Sequence, residues 1–320
     1  MYYFGIDLGG TNISAGLVDE NYKIISKKSC KTNVPRSEAE ICDDMAKLFF
    51  DILTETGVTS EQISSVGIGS PGAVNKKSGV VEFANNLFFH NWNLQKMMKN
   101  RLNKKVFIEN DANVAAFGEF IAGAAQNTKS SITITIGTGI GSGIILDGKI
   151  YDGINYNAAE LGHMVIVPNG RFCSCGRRGC FEKYASASGL ILTTKEYLKN
   201  TSKSDTIIWS LIENNINNVS ARTAFTAMKS GDVLGEKIVN EYCEYLSLGI
   251  VNIINIFQPE IICIGGGVCN EGDLLLAPIR KVIEKERYSK YAKDQTKLCS
   301  ALLGNDAGII GAALLGCSCL

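Results

Sequence analysis

The sequence predicts an α/β protein built from two similar domains, and three observations carry that prediction. The chain has 320 residues, enough for two domains of ordinary size, each with its own core. Short β-branched runs alternate along it with segments of helical period. One glycine-rich hairpin also occurs twice. Gly10-Thr11-Asn12-Ile13-Ser14-Ala15-Gly16-Leu17-Val18 and Gly137-Thr138-Gly139-Ile140-Gly141-Ser142-Gly143-Ile144-Ile145 both read G-T-x-I-x-x-G followed by two apolar residues. Each follows an alternating strand, Tyr3 to Asp7 or Ile132 to Ile136. Each runs into a second strand and a turn, Asp19-Glu20-Asn21 or Asp147-Gly148-Lys149. Two equivalent hairpins 127 positions apart (137 − 10) predict two similar domains facing each other.

The other elements follow in order. Ser37-Glu38-Ala39-Glu40 is a capping box that opens a helix with Ile41, Met45, Leu48, Phe49 and Ile52 on its buried face. Ile63 to Gly69 reads as a strand ending at Ser70-Pro71-Gly72. Val106-Phe107-Ile108 is a short strand, and Asn113 to Ala122 after it is helical. Residues 183 to 257 read as mostly helical, with a polar, Asn-rich interruption at 213 to 218. Ile261 to Ile264 is a buried strand feeding Gly265-Gly266-Gly267. Gly304 to Ala313 reads as a small-residue helix that packs closely on a neighbour. The glycine clusters each follow or interrupt an apolar β-branched run, which places them at strand ends rather than in linkers.

Composition excludes several function classes. Lysine plus arginine equals aspartate plus glutamate at 32 each, so there is no cationic field for nucleic acid or for a membrane surface. No apolar run reaches membrane-spanning length. The opening Met1-Tyr2-Tyr3-Phe4-Gly5-Ile6-Asp7 goes straight into a strand pattern, without the charged region and cleavage site of a signal peptide. Eleven cysteines, eight of them scattered, suit reduced thiols. The expectation is a soluble, cytoplasmic protein.

Three constellations carry chemistry. His163, Cys173, Cys175 and Cys180 can close a tetrahedral Cys3His zinc site, with intervals of ten, two and five and glycines for the tight turns. A disulfide competes weakly, because a bridge across C-x-C is badly strained. Glu160 and Glu182 flank the ligand set. The loop is therefore either a plain structural knuckle with solvated glutamates or a mount for two carboxylates and an imidazole. The second histidine, His90, sits in an aromatic stretch and reads as packed or superficial.

The two Gly-Thr turns offer backbone N–H groups without side-chain obstruction, a geometry that binds anions. Neither is a P-loop, since no G-K-[ST] follows. Together they could hold the phosphates of a nucleotide from opposite sides. Asp7, at the end of the first strand, is either a turn cap or the holder of a magnesium-bound water. Glu109-Asn110-Asp111-Ala112-Asn113 lies where a strand turns into a helix, the place where ligands bind in α/β sheets. There Asn110 or Asp111 caps the helix, or Asp111 accepts a proton from a hydroxyl attacking a γ-phosphoryl group.

Taken together, Asp7-Leu8-Gly9-Gly10-Thr11, Glu109 to Asn113, Gly137 to Gly141, Glu160-x-Gly162-His163, the cysteine block ending in Glu182, Gly265 to Gly267 and Asn305-Asp306-Ala307-Gly308 resemble the ROK family of sugar kinases and sugar-responsive repressors, within the actin-like ATPase superfamily. The resemblance covers essentially the whole chain. It implies two actin-like (ribonuclease H-like) ATPase domains flanking a cleft, with a zinc-stabilised loop. The first domain would comprise residues 1–112 with 304–320 returning to it, the second residues 113–303. It implies Asp111 as base for a sugar's 6-hydroxyl, with Gly72, Asn86, Asn110, Glu160, His163 and Glu182 around the sugar. His163 would place one ring nitrogen on a structural zinc and turn the other toward the sugar. Asp7 and Gly9-Gly10-Thr11-Asn12, with Thr138 and Gly139, would serve Mg²⁺-ATP phosphates, and the adenosine would lie near Gly265 and Gly266.

The chain departs from the family pattern at Ala159, where glycine is usual, at Leu161 in place of isoleucine, at Met164 in place of threonine, and at Asn86-Leu87-Phe88-Phe89 in place of N-L-x-W. No proposed catalytic or zinc group is lost. The implied reaction is ATP-dependent phosphorylation of a hexose 6-hydroxyl, with glucose first, N-acetylmannosamine or N-acetylglucosamine second and fructose third. A sugar-sensing repressor without kinase activity is the alternative from another class. It is disfavoured because the chain starts on the first strand of the core, without a winged helix, and has neutral charge. A non-catalytic, zinc-stabilised sugar-binding module is disfavoured by Asp111 and the two phosphate loops. The family further implies a homodimer or a homotetramer.

Overall fold

The computed structural model describes residues 1–317. The chain packs as two compact units. Unit 1 holds Met1–Thr133, Gly143–Ala159 and the segment from Ala301 on; unit 2 holds Ile134–Ser142 and Glu160–Ser300.

In unit 1, β1 (Tyr2–Leu8) and β2 (Asn12–Val18) form the first hairpin, paired from Tyr3↔Val18 to Leu8↔Ile13. β3 (Ile24–Lys31) pairs with β2 and alternates half-buried with exposed positions, the period-2 pattern of a strand with one wetted face. α1 (Glu38–Thr56) opens on the reciprocal Ser37–Glu40 capping box and closes on Gly57 at φ 68°, a left-handed cap that favours glycine. All five apolar residues assigned to its inner face are buried.

β4 (Ile63–Ser70) runs parallel to β1 and is buried almost throughout, as a strand covered on both faces must be. A small antiparallel sheet of β5 (Ala73–Asn75), β6 (Val80–Ala84) and β7 (Phe89–Trp92) follows. α2 (Leu94–Leu102) leads to β8 (Val106–Asn110), parallel to β4, and α3 (Asp111–Ala122) leaves β8 without a loop. The sheet order β3-β2-β1-β4-β8 sets Asp7 opposite Gly69, and Ser70 opposite Asn110. The parallel strands therefore end together at one edge.

The second sheet repeats this plan. β9 (Ser131–Ile136), β10 (Ile140–Leu146) and β11 (Lys149–Ile150) form its antiparallel part. A helical run follows: α4 (Glu182–Ala185), α5 (Ala187–Leu198), α6 (Ile208–Leu211), α7 (Thr223–Lys229) and α8 (Val233–Phe257). The expected polar interruption appears as a single 3₁₀ turn at Ile216–Asn218. β12 (Ile261–Gly265), α9 (Asp273–Glu286) and β13 (Lys297–Ser300) complete the order β11-β10-β9-β12-β13. In each sheet an antiparallel hairpin is extended by two later parallel strands, so the sequence echo reflects a duplicated topology.

α10 (Ala307–Leu314) belongs to unit 1 and lies on β1, β4 and α3. The packing does not divide at residue 112. α3, expected to open the second domain, lies within unit 1 because its glycine face takes α10: a Cβ on Gly118 would stand 2.5 Å from the Ala307 carbonyl oxygen. No helix among the described residues is long and apolar enough to cross a membrane.

Candidate active site

The predicted site residues form two groups, one in each unit. In unit 1 the first group gathers at the common edge of β1, β4 and β8. The Gly9–Thr11 turn is closed by the Gly9 N–H donating to the Asn12 carbonyl at 2.9 Å. Thr32, fully buried, braces it twice: its N–H donates to the Thr11 carbonyl and its hydroxyl to the Gly9 carbonyl, at 2.9 and 2.7 Å. Asn86 lies beside the loop, its Cβ 3.2 Å from where a Gly10 side chain would begin. Thr11 and Asn12 are exposed.

Asn110 resolves the ambiguity at the strand–helix junction. It is the cap: its Oδ1 accepts from the N–H groups of Ala112 and Asn113 at 2.9 and 3.2 Å. Its Nδ2 donates to the Gly72 carbonyl at 3.1 Å, so most of its hydrogen-bonding capacity is spent within the protein. Gly72 has φ 91°, and a Cβ there would stand 2.0 Å from the Phe83 carbonyl oxygen, so this turn requires glycine. Asp111 is the first helical residue, with Oδ1 accepting the Ala112 N–H at 2.9 Å.

Asp7 and Asp111 are electrostatically coupled. Burial raises the Asp7 carboxyl to about 6, and the negative charge of Asp111 adds to the rise. Asp111 is also raised by burial, against the lowering effect of its backbone and Asn110 hydrogen bonds. A Cβ on Gly308 would stand 2.6 Å from the Asp7 carboxylate, which gives the closing Asn-Asp-Ala-Gly segment a local reason for its glycine. Two half-buried carboxylates with raised pKa fit a divalent cation such as Mg²⁺ in their vicinity.

The second group lies in unit 2. The Gly137–Gly139 turn is closed by the Gly137 N–H on the Gly139 carbonyl at 3.0 Å. Glu182, at the start of α4, accepts the Ile140 N–H at 3.0 Å, and its Oε2 would be 2.2 Å from any Cβ on Gly139. It therefore props the second Gly-Thr loop, in which Thr138 is exposed. Glu160 is exposed and begins the 3₁₀ turn Leu161–His163; its carboxylate lies 3.9 Å from His163 Nε2. Gly162 lets this turn approach the Ile140 carbonyl, which a Cβ would meet at 2.6 Å. At the end of β12, Gly266 has φ 95° and leaves no room for a side chain against Ile136.

The ligand atoms of His163, Cys173, Cys175 and Cys180 lie within 4.8 Å of one another. Cys173 Sγ is 3.6 Å from His163 Nδ1, and the sulfurs of Cys175 and Cys180 are 3.6 Å apart. Zinc–sulfur and zinc–nitrogen bonds at tetrahedral angles place neighbouring ligand atoms about 3.5–3.8 Å apart, so the set fits the metal. Gly179 at φ 81° closes the loop against the Val167 carbonyl.

The ROK family description matches residues 3–317. This chain belongs to the ROK family. It is 35% identical over 310 residues to a glucokinase of Thermotoga maritima, covering 97% of this chain and 95% of that protein. It is similar to the crystal structure of a ROK family glucokinase from Streptomyces griseus in complex with glucose and AMPPNP, with TM-score 0.81, 33% identity and coverage of 98% and 99%. A xylose repressor of Caldicellulosiruptor bescii is 30% identical over 288 residues, spanning 89% of this chain but 70% of that protein.

In this ROK protein the sequence motifs account for both glycine loops, the Asn-Asp junction and the metal-ligand cluster. Sequence patterns alone do not reveal Thr32, and they give Glu109 no role. Thr32 carries no local signal, since it acts by donating two hydrogen bonds to a turn about twenty residues earlier in the chain. Glu109 had one: a carboxylate at the buried end of a strand needs partners, and no cation is adjacent in sequence to balance its charge.

Proposed function

We propose that this ROK-family sugar kinase transfers the γ-phosphoryl group of ATP to the 6-hydroxyl of a hexose, glucose before other sugars. The observation that carries the reading is the placement of Asp7, just before the Gly9–Thr11 loop, and Asp111, just after β8, at the common edge of β1, β4 and β8, where burial raises both carboxyls. One Asp111 oxygen is held by a backbone N–H, and burial raises its basicity. Asp111 takes the proton from the 6-hydroxyl as it attacks phosphorus, a contribution of about 10²–10⁴-fold.

The N–H groups of Gly10, Thr11 and Gly139 and the hydroxyls of Thr11 and Thr138 receive the phosphates, and Gly265 and Gly266 leave room for adenosine. Glu160, His163 and Glu182 hold sugar hydroxyls, with Asn86, Gly72 and the remaining Asn110 N–H completing the sugar contacts. Asp7 would hold Mg²⁺ through a water; when bound, the cation neutralises phosphate charge. Zinc on His163, Cys173, Cys175 and Cys180 would be structural, fixing the imidazole through Nδ1 and leaving Nε2 for Glu160 and the sugar.

The test is ADP release from ATP and Mg²⁺ with glucose, N-acetylmannosamine, N-acetylglucosamine and fructose in parallel. Strong preference for glucose is expected. Turnover of an acetylated sugar alone would keep the chemistry and replace the substrate, whereas sugar binding without turnover of any would overturn the kinase reading. Asp111→Ala should abolish turnover and spare glucose binding; unchanged turnover would remove Asp111 as the base.

A further inference from the structure

Glu109 is a carboxylate with 1% of its surface exposed, at the last buried position of β8. Burying an ionised carboxylate is costly unless its oxygens are partnered. Here both are. Oε1 accepts the Asn110 N–H at 2.9 Å and the Asn113 Nδ2–H at 3.1 Å; Oε2 lies 3.5 Å from Lys76 Nζ. Lys76, in the turn between β5 and β6, is 2.5 Å from Asp152 Oδ2, just beyond β11. Three stretches of unit 1 that are distant in sequence, at Lys76, at Glu109 to Asn113 and at Asp152, thus meet on one carboxylate and one ammonium.

What they hold is the stretch between the two anchor points, which carries Asp111. Asn110 and Asn113 bracket Asp111, and Glu109 grips the main chain of the first and the side chain of the second. The Asn110 cap fixes the helix from the other side through Ala112 and Asn113. The Asn113 Oδ1 is buried without a hydrogen-bond partner, so Glu109 supplies what orients that amide. We infer that Glu109, braced by Lys76, is a positioning residue for Asp111 in phosphoryl transfer.

The inference rests on the reading of Asp111 as the base. Glu109 touches no reacting atom. Its effect runs through the angle and position at which β8 delivers the Asp111 carboxylate, where a displacement of about 1 Å can cost on the order of 10²-fold in rate. Lys76 is 41% exposed in its side chain, so it can be changed with less disturbance than Glu109.

The experiment is steady-state kinetics on the full-length protein with glucose and Mg²⁺-ATP, together with glucose affinity by titration calorimetry. Glu109→Ala should lower kcat about 10²-fold while both KM values and glucose affinity stay within about threefold. Glu109→Gln keeps a carbonyl acceptor for the two N–H donors and should restore kcat to within about tenfold of the wild type. Lys76→Met should lower kcat by about fivefold, and Lys76→Arg should recover it. A folded Glu109→Ala protein with wild-type kcat overturns the inference, as does Glu109→Gln no more active than Glu109→Ala. If Glu109→Ala does not fold, Lys76→Met decides, and wild-type kcat there overturns it. Asp111→Ala run alongside separates the two ideas: retained turnover refutes the base, whereas a dead Asp111→Ala beside an active Glu109→Ala refutes the positioning role only.

Discussion

Asp7 sits at the end of a central strand with its carboxyl raised to about 6 from an ordinary 3.8, by burial first and by Asp111 second. A carboxyl raised on folding contributes stability that is complete below about 3.8 and lost as pH climbs through about 6. At pH 8 the unliganded protein therefore carries an electrostatic cost of about 3 kcal/mol at this residue, at about 1.4 kcal/mol per unit. Asp7→Asn should raise the unfolding free energy in urea by about 2–3 kcal/mol at pH 8, with the gain gone by pH 4. An equal gain at both pH values would show that charge is not its source. Residue identity was legible here because the motifs are local. Asp7, Asn110 and Asp111 stand out in short stretches, whereas Thr32, Lys76 and Asp152 act only across the fold and carry no pattern of their own. Ala159 joins the two scales: glycine is usual in the family at this position, and the structure shows why, since Ala159 has φ 66°.

At the scale of elements, α10 and the metal-ligand loop show how differently sequence reports on packing. The small-residue run promised a close-packed helix, and its neighbours are now explicit. A Cβ on Gly5 would stand 1.9 Å from the Ile309 carbonyl oxygen, one on Gly67 1.7 Å from that of Ala312, and one on Gly311 1.7 Å from that of Val114. The obstructing atoms are backbone, which cannot move aside as a side chain can. Gly67→Ala should therefore cost about 3 kcal/mol or more in urea denaturation, the upper end of overpacking penalties; a loss under about 1 kcal/mol would mean that α10 can shift on the sheet. The neighbours were not readable in advance because pairing of a helix with a distant strand leaves no periodicity in either. The four side chains of the loop, by contrast, were legible as a set, and the structure brings their ligand atoms within 4.8 Å of one another. Cys175→Ser should lose bound zinc, measured by elemental analysis, and glucose affinity with it. Full glucose affinity in metal-free protein would disconnect the loop from the sugar.

For the whole molecule, the duplicated hairpin predicted a duplicated sheet, and the order of strands bears that out. The dividing line was less legible. The residue patterns place strands and helices, but membership of a unit depends on which faces meet, and α3 follows α10 rather than its place in the chain. That arrangement has a consequence for biosynthesis. Unit 1 is made from the start of the chain and a segment beginning at Ala301, with the Glu160–Ser300 run of unit 2 translated in between. While the ribosome is still adding that run, Gly5, Gly67 and Gly118 present a bare groove with no helix in it. The unit that carries Asp7 and Asp111 thus completes its packing only after the Glu160–Ser300 run has been made. A nascent chain stalled before Ala307 would expose an unfilled apolar surface, the kind of intermediate that chaperones bind and that aggregates without them.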